Sequence, residues 1–98
     1  MTLKLNCGAF ESYIVNEREL FGGIQYIFRF ENNYGASVIK HGGSYGRWHD
    51  LWELAVVKFT GESKDDWNLC YETEITDDVI GDLDDGDVRD LLDRIRGL

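Results

Sequence analysis

The residues best suited to chemistry are concentrated in Lys40-His41-Gly42-Gly43-Ser44-Tyr45-Gly46-Arg47-Trp48-His49. Backbone amides of glycine-rich turns form concave anion-binding nests, and cationic side chains beside them strengthen the field. Lys40, Gly42, Gly43, Ser44 and Arg47 are therefore the candidate anion-binding set. Tyr45 and Trp48 add flat apolar surfaces for stacking on a base or a partner side chain. No acidic residue falls between Asn32 and His49, although the chain has 19 Asp and Glu. The segment is thus an island of positive potential. The plainer role is a hairpin connection whose aromatics pack on the edge of a sheet. It is not a phosphate-binding Walker loop, because the Gly-Lys-Ser/Thr ending is missing.

Other combinations of reactive residue types lack the spacing their chemistry needs. Ser44 with His41 or His49 and Asp50 supplies the members of a hydrolytic triad, but a triad is defined by geometry and nothing here fixes it. Two histidines with Cys7 and Cys70 match no zinc spacing. Asp82-Leu83-Asp84-Asp85-Gly86-Asp87 superficially resembles a calcium loop, yet the glycine stands at the wrong position and Val88, Leu91 and Leu92 read as a buried stripe. The expectation is a protein without catalytic residues, metal or cofactor.

The second candidate is acidic. Glu72, Glu74, Asp77, Asp78, Asp82, Asp84, Asp85, Asp87, Asp90 and Asp93 are offset within that stretch only by Arg89, in a chain of formal net charge -9. Such a balance repels nucleic-acid backbones and suits either solubility or a basic protein partner. On the sharper reading the carboxylates imitate duplex phosphates. Asp82, Asp84, Asp85, Asp87 and Asp90 would then steer association, with Tyr34, Tyr45, Arg47 and Trp48 as anchoring contacts.

Ninety-eight residues suffice for a single domain, 1–98, with one core. Alternation over Leu3 to Cys7 predicts a strand, Phe10 to Val15 reads either as two strand faces, the preferred reading, or as a short helical turn, and Asn16 to Leu20 is a charged turn. Ile24 to Phe30 is the clearest strand, with Ile24, Tyr26, Phe28 and Phe30 on one face. Asn and Gly in Glu31 to Gly35 predict a turn, and Ala36 to His41 an antiparallel return. Leu51 to Phe59 is apolar on both faces, as a central strand requires. Trp67 to Ile75 alternates again. Thr76-Asp77-Asp78 signals a helix start, followed by a short helical turn holding Val79, Ile80 and Leu83. A last helix, about Asp87 to Arg96, has Val88, Leu91, Leu92 and Ile95 on one stripe and i,i+4 pairs Asp85 with Arg89, Arg89 with Asp93, and Asp90 with Arg94 on the other. The expected fold is α+β, an antiparallel sheet of about five strands with C-terminal helices packed on one face.

Two cysteines match a reduced, cytoplasmic protein, and no apolar run reaches the ~20 residues that span a bilayer. Tyr34-Gly35-Ala36-Ser37-Val38, Gly43-Ser44-Tyr45-Gly46, Leu51-Trp52-Glu53-Leu54-Ala55-Val56 and Ile75-Thr76-Asp77-Asp78-Val79-Ile80-Gly81 resemble small accessory proteins of bacteriophages and prophages. The resemblance covers roughly Tyr34 to Ile95. It implies a viral protein made in the bacterial cytoplasm. The expected function is inhibition of a host nucleic-acid-binding or defence protein, of anti-CRISPR or anti-restriction type, through a host or viral protein with a basic surface. A nucleotide- or anion-binding module using 42–47, and a virion component that self-associates into a homodimer through an exposed strand edge, are the alternatives.

Overall fold

The computed structural model describes residues 5–20, 22–40, 51–75 and 79–98. Among these residues six strands form one antiparallel sheet: β1 (Ile14–Leu20), β2 (Gly23–Arg29), β3 (Tyr34–Lys40), β4 (Trp52–Phe59), β5 (Trp67–Leu69) and β6 (Ile80–Leu83). The order is β1-β2-β3-β4-β5, and β6 pairs with β4 as well. The far side of β4 is shared, since β5 pairs with Val57 to Phe59 and β6 with Trp52 and Leu54. That sharing explains why Leu51 to Phe59 reads as a central strand.

Register sorts the side chains. Tyr26 faces Val38, which faces Leu54, and Phe28 faces Ala36, which faces Val56. These six are buried in one cluster with Val88, Leu92 and Ile95 of the one α-helix among the described residues, α1 (Asp85–Arg96). Each such aliphatic side chain, fully withdrawn from water, contributes about 1.5–3 kcal/mol. The opposite face holds a smaller cluster of Ile27, Val57 and Phe59, with Trp67 against it.

The β2–β3 turn also holds the end of α1. Asn33 takes the left-handed φ of 67° that asparagine tolerates. Asn32 accepts a hydrogen bond from the Tyr34 amide and donates to the carbonyls of Ile95, Arg96 and Leu98 at 3.0–3.1 Å. Last-turn carbonyls of a helix lack intrahelical donors, so one side chain caps the helix and fixes it to the hairpin. At Gly35 a β-carbon would strike the Phe28 carbonyl oxygen, so the close approach of β2 and β3 requires glycine.

Several expectations change. Leu5 to Cys7 is not a strand, although Leu5 and Cys7 are buried and Asn6 exposed as alternation predicts. Gly8–Tyr13 is a 3-10 helix, and the strand begins at Ile14. Asn16 to Leu20 is not a turn but most of β1, because ladder pairing with Ile27 to Gly23 accommodates its charges on an edge strand. The strand from Trp67 ends at Leu69 instead of Ile75. Ile80 and Leu83 belong to β6, where pairing with β4 overrides local helix signals. Among the described residues one C-terminal helix forms instead of two, and it starts at Asp85. The three i,i+4 pairs within α1 do not form. Arg89 donates instead to the Asn6 carbonyl at 2.6 Å, and the ion pair found among the described residues is Arg96 with Glu31.

Candidate functional site

The N-terminus of α1 uses several of the predicted aspartates internally. Asp84 is the N-cap. Its Oδ1 accepts from the Asp87 amide at 2.7 Å, and Asp87 Oδ2 accepts from the Asp84 amide at 3.2 Å. This reciprocal capping satisfies donors that a helix start leaves open. Asp85 Oδ1 accepts from Trp52 Nε1 at 2.8 Å. Asp82 and Asp90 are exposed, and Asp82 has a left-handed φ of 58°. The predicted acidic set therefore divides into three residues committed to the helix start and two directed outward.

Lys40 ends β3 and is only 5% exposed, with its Nζ 4.5 Å from the centre of the Trp52 ring. An ammonium over an indole face is a favourable cation–π contact. Tyr34 stands at the other end of β3, half-buried, with Lys58 Nζ 5.1 Å from its ring centre. The helix end near Tyr34 is the one capped by Asn32, whereas the aspartates mark the start. About 18 Å of helix separates them at 1.5 Å per residue. Tyr34 and the aspartates are thus not brought together. Gly42, Gly43, Ser44, Tyr45, Arg47 and Trp48 lie outside the described residues, as do His41, His49, Asp50 and Thr76 to Asp78.

A site that the motif search missed lies on the sheet face opposite α1. A groove of about 250 Å³ is lined by buried Gln25, Ser37 and Ala55, half-buried Ile39, Glu53 and Trp67, and exposed Leu69 and Val79. Arg18 Nε donates to Gln25 Oε1 at 2.6 Å, and Gln25 Nε2 donates to Ser37 Oγ at 2.8 Å. The sequence held a signal: Gln25 and Ser37 interrupt otherwise apolar inner strands. Of the lining residues Leu69 is 50% exposed and Val79 44%, and Tyr71, two residues after Leu69, is 38% exposed. Glu72, Glu74 and Asp82 are exposed in the same part of the chain.

Among the described residues no group of His, Cys, Asp and Glu is arranged to hold a metal ion, and no helix is long and apolar enough to cross a membrane. Both cysteines are free. Burial raises the pKa of the Cys7 thiol and of the Tyr26 phenol. Arg96 lowers that of Glu31 by hydrogen bonding to its carboxylate. On β1, which pairs with β2 alone among the described residues, Glu17, Arg18 and Glu19 are exposed and a bulge falls between Ile14 and Asn16. Charges and a bulge are the usual protection of a sheet edge against pairing with another chain.

A scan against protein-family models gave no match, and searches of curated proteins and of solved structures gave none either.

Proposed function

We propose that the chain is a non-catalytic interaction protein that binds a host or viral protein with a basic surface. Its partner would be a nucleic-acid-binding or defence protein of the bacterial cytoplasm, blocked by occupation of its basic groove, as the resemblance to phage accessory proteins suggests. The observation that supports this reading is that the chain between β5 and β6 exposes Leu69, Tyr71 and Val79 together with Glu72, Glu74 and Asp82, with Leu69 and Val79 lining one groove. Protein interfaces combine an apolar and aromatic centre with a polar rim, and carboxylates on that rim steer a basic partner. Asp90, also exposed, extends the negative field along α1. Asp84, Asp85 and Asp87 serve the fold first.

The test is affinity capture from a bacterial lysate with the wild-type chain and with a Leu69→Lys/Val79→Lys double variant. Both side chains are exposed, so the variant keeps its core. The wild type should retain a basic protein whose binding to duplex DNA it then competes away, and the variant should not retain it. Equal retention by both, or a captured protein whose DNA binding is unaffected, contradicts the reading. The anion-binding alternative gains no support from Lys40, whose ammonium is turned against Trp52.

A further inference from the structure

The helix covers only part of the sheet face on which it lies. α1 packs mainly on β3, with lesser contact to β4 and β6. On the same face, β2 and its end at Phe30 are closed by the chain that precedes β1. Leu5 and Cys7 are 4% and 3% exposed and join the main core cluster, and the Leu5 backbone lies beside the Tyr26 phenol. Phe10 and Tyr13 then set their rings against Phe30, at centroid distances of 6.1 and 4.9 Å.

What holds residues 5–13 differs in kind from what holds the sheet. Their backbone hydrogen bonds among the described residues are local, from the Phe10 amide to the Cys7 carbonyl and from the Ile14 amide to the Glu11 carbonyl. Ladder pairing begins only at Ile14, so the segment can leave without separating two strands. Its polar ties to α1 are side chains: Arg89 Nη1 donates to the Asn6 carbonyl at 2.6 Å, and the Arg96 guanidinium stands 5.3 Å from the Tyr13 ring centre. None of Gly8–Tyr13 is buried, and Gly8 takes a left-handed φ of 57° where the chain leaves the core. A segment with few buried side chains and no ladder bonds opens at lower free energy than the elements beneath it.

We infer that residues 5–13 form a strap that swings off the sheet as a unit, uncovering Tyr26 and Phe30 while the sheet and α1 stay folded. Cys7 reports the motion, since a buried thiol reacts with a reagent only when it is brought to solvent. The experiment is thiol labelling of the Cys70→Ser chain at pH 8 in 0–2 M urea, below its unfolding transition, beside global stability from urea unfolding. Strap opening exposes little surface, so the Cys7 rate should change less than about threefold over that range, whereas labelling through global unfolding would accelerate about 30-fold or more. Val57→Ala, in the cluster on the opposite sheet face, should lower global stability and leave the Cys7 rate unchanged, because the contacts of Val57 persist with the strap open. Arg89→Ala should speed labelling about three- to tenfold, the margin of one net hydrogen bond. A Cys7 rate that climbs with urea at the slope of global unfolding, rises in Val57→Ala in step with the lost stability, or stays unmoved in Arg89→Ala overturns the inference.

Discussion

The indole N–H of Trp52 donates to Asp85 Oδ1 across 2.8 Å, joining the first residue of β4 to the first residue of α1. Trp52 is fully buried, so its one polar group has to be satisfied inside the protein. Asp85→Ala should lower stability by about 1–3 kcal/mol by leaving that donor unpaired. In a Trp52→Phe background the same change should have a smaller effect, measured by urea unfolding of the full double-mutant cycle. Charge reversal at Asp85 would confound any binding assay, because it disturbs this contact before it alters the exterior.

Arg96 Nε is 3.1 Å from Glu31 Oε1, and the contact lowers the Glu31 pKa below the ordinary glutamate range. A carboxylate whose folded pKa is depressed adds stability above its unfolded pKa and loses it as pH falls through the folded one. Both groups are exposed, so the contribution is small. A 13C-detected titration of the Glu31 carboxyl should show a midpoint below that of a free glutamate in the wild type. It should return to the ordinary value in Arg96→Ala. An unshifted wild-type midpoint would contradict the contact.

The two thiols should separate by reactivity. Cys7 is buried and its pKa is raised, chiefly by desolvation, while Cys70 is half-buried. The thiolate is the reacting species, so Cys7 should be labelled slowly. With a thiol-specific chromogenic reagent at pH 8, Cys70→Ser should remove the faster phase and Cys7→Ser the slower one. Denaturant should merge the two phases in the wild type.

How far the sequence revealed this arrangement depends on the range of the interactions involved. Ile24 to Phe30 and Leu51 to Phe59 were legible because alternation and continuous apolar character are local signals, and the α1 stripe of Val88, Leu92 and Ile95 followed from helical period. Ile80 to Leu83 was not, since its strand conformation comes from pairing with Trp52 and Leu54, far away in the chain. Asn16 to Leu20 looked like a turn because exposed edge strands carry charges. The cap that Asn32 places on Ile95 and Arg96 joins residues more than sixty positions apart, and no local pattern encodes it. The groove escaped motif search for a related reason. Arg18, Gln25 and Ser37 come from three strands and become neighbours only through register.

The proposal that exposed carboxylates and apolar side chains between β5 and β6 meet a basic partner is tested most directly by the salt dependence of association. With the captured partner immobilised, association rates of the wild type and of a Glu72→Gln/Glu74→Gln/Asp82→Asn variant would be followed from 50 to 500 mM NaCl. Asparagine tolerates the left-handed backbone at position 82, so the variant removes charge without strain. The wild-type rate should fall about tenfold or more across that range, and the variant should start several-fold slower with a shallower slope. Rates independent of salt, or the same slope for both proteins, would contradict electrostatic recognition by this face.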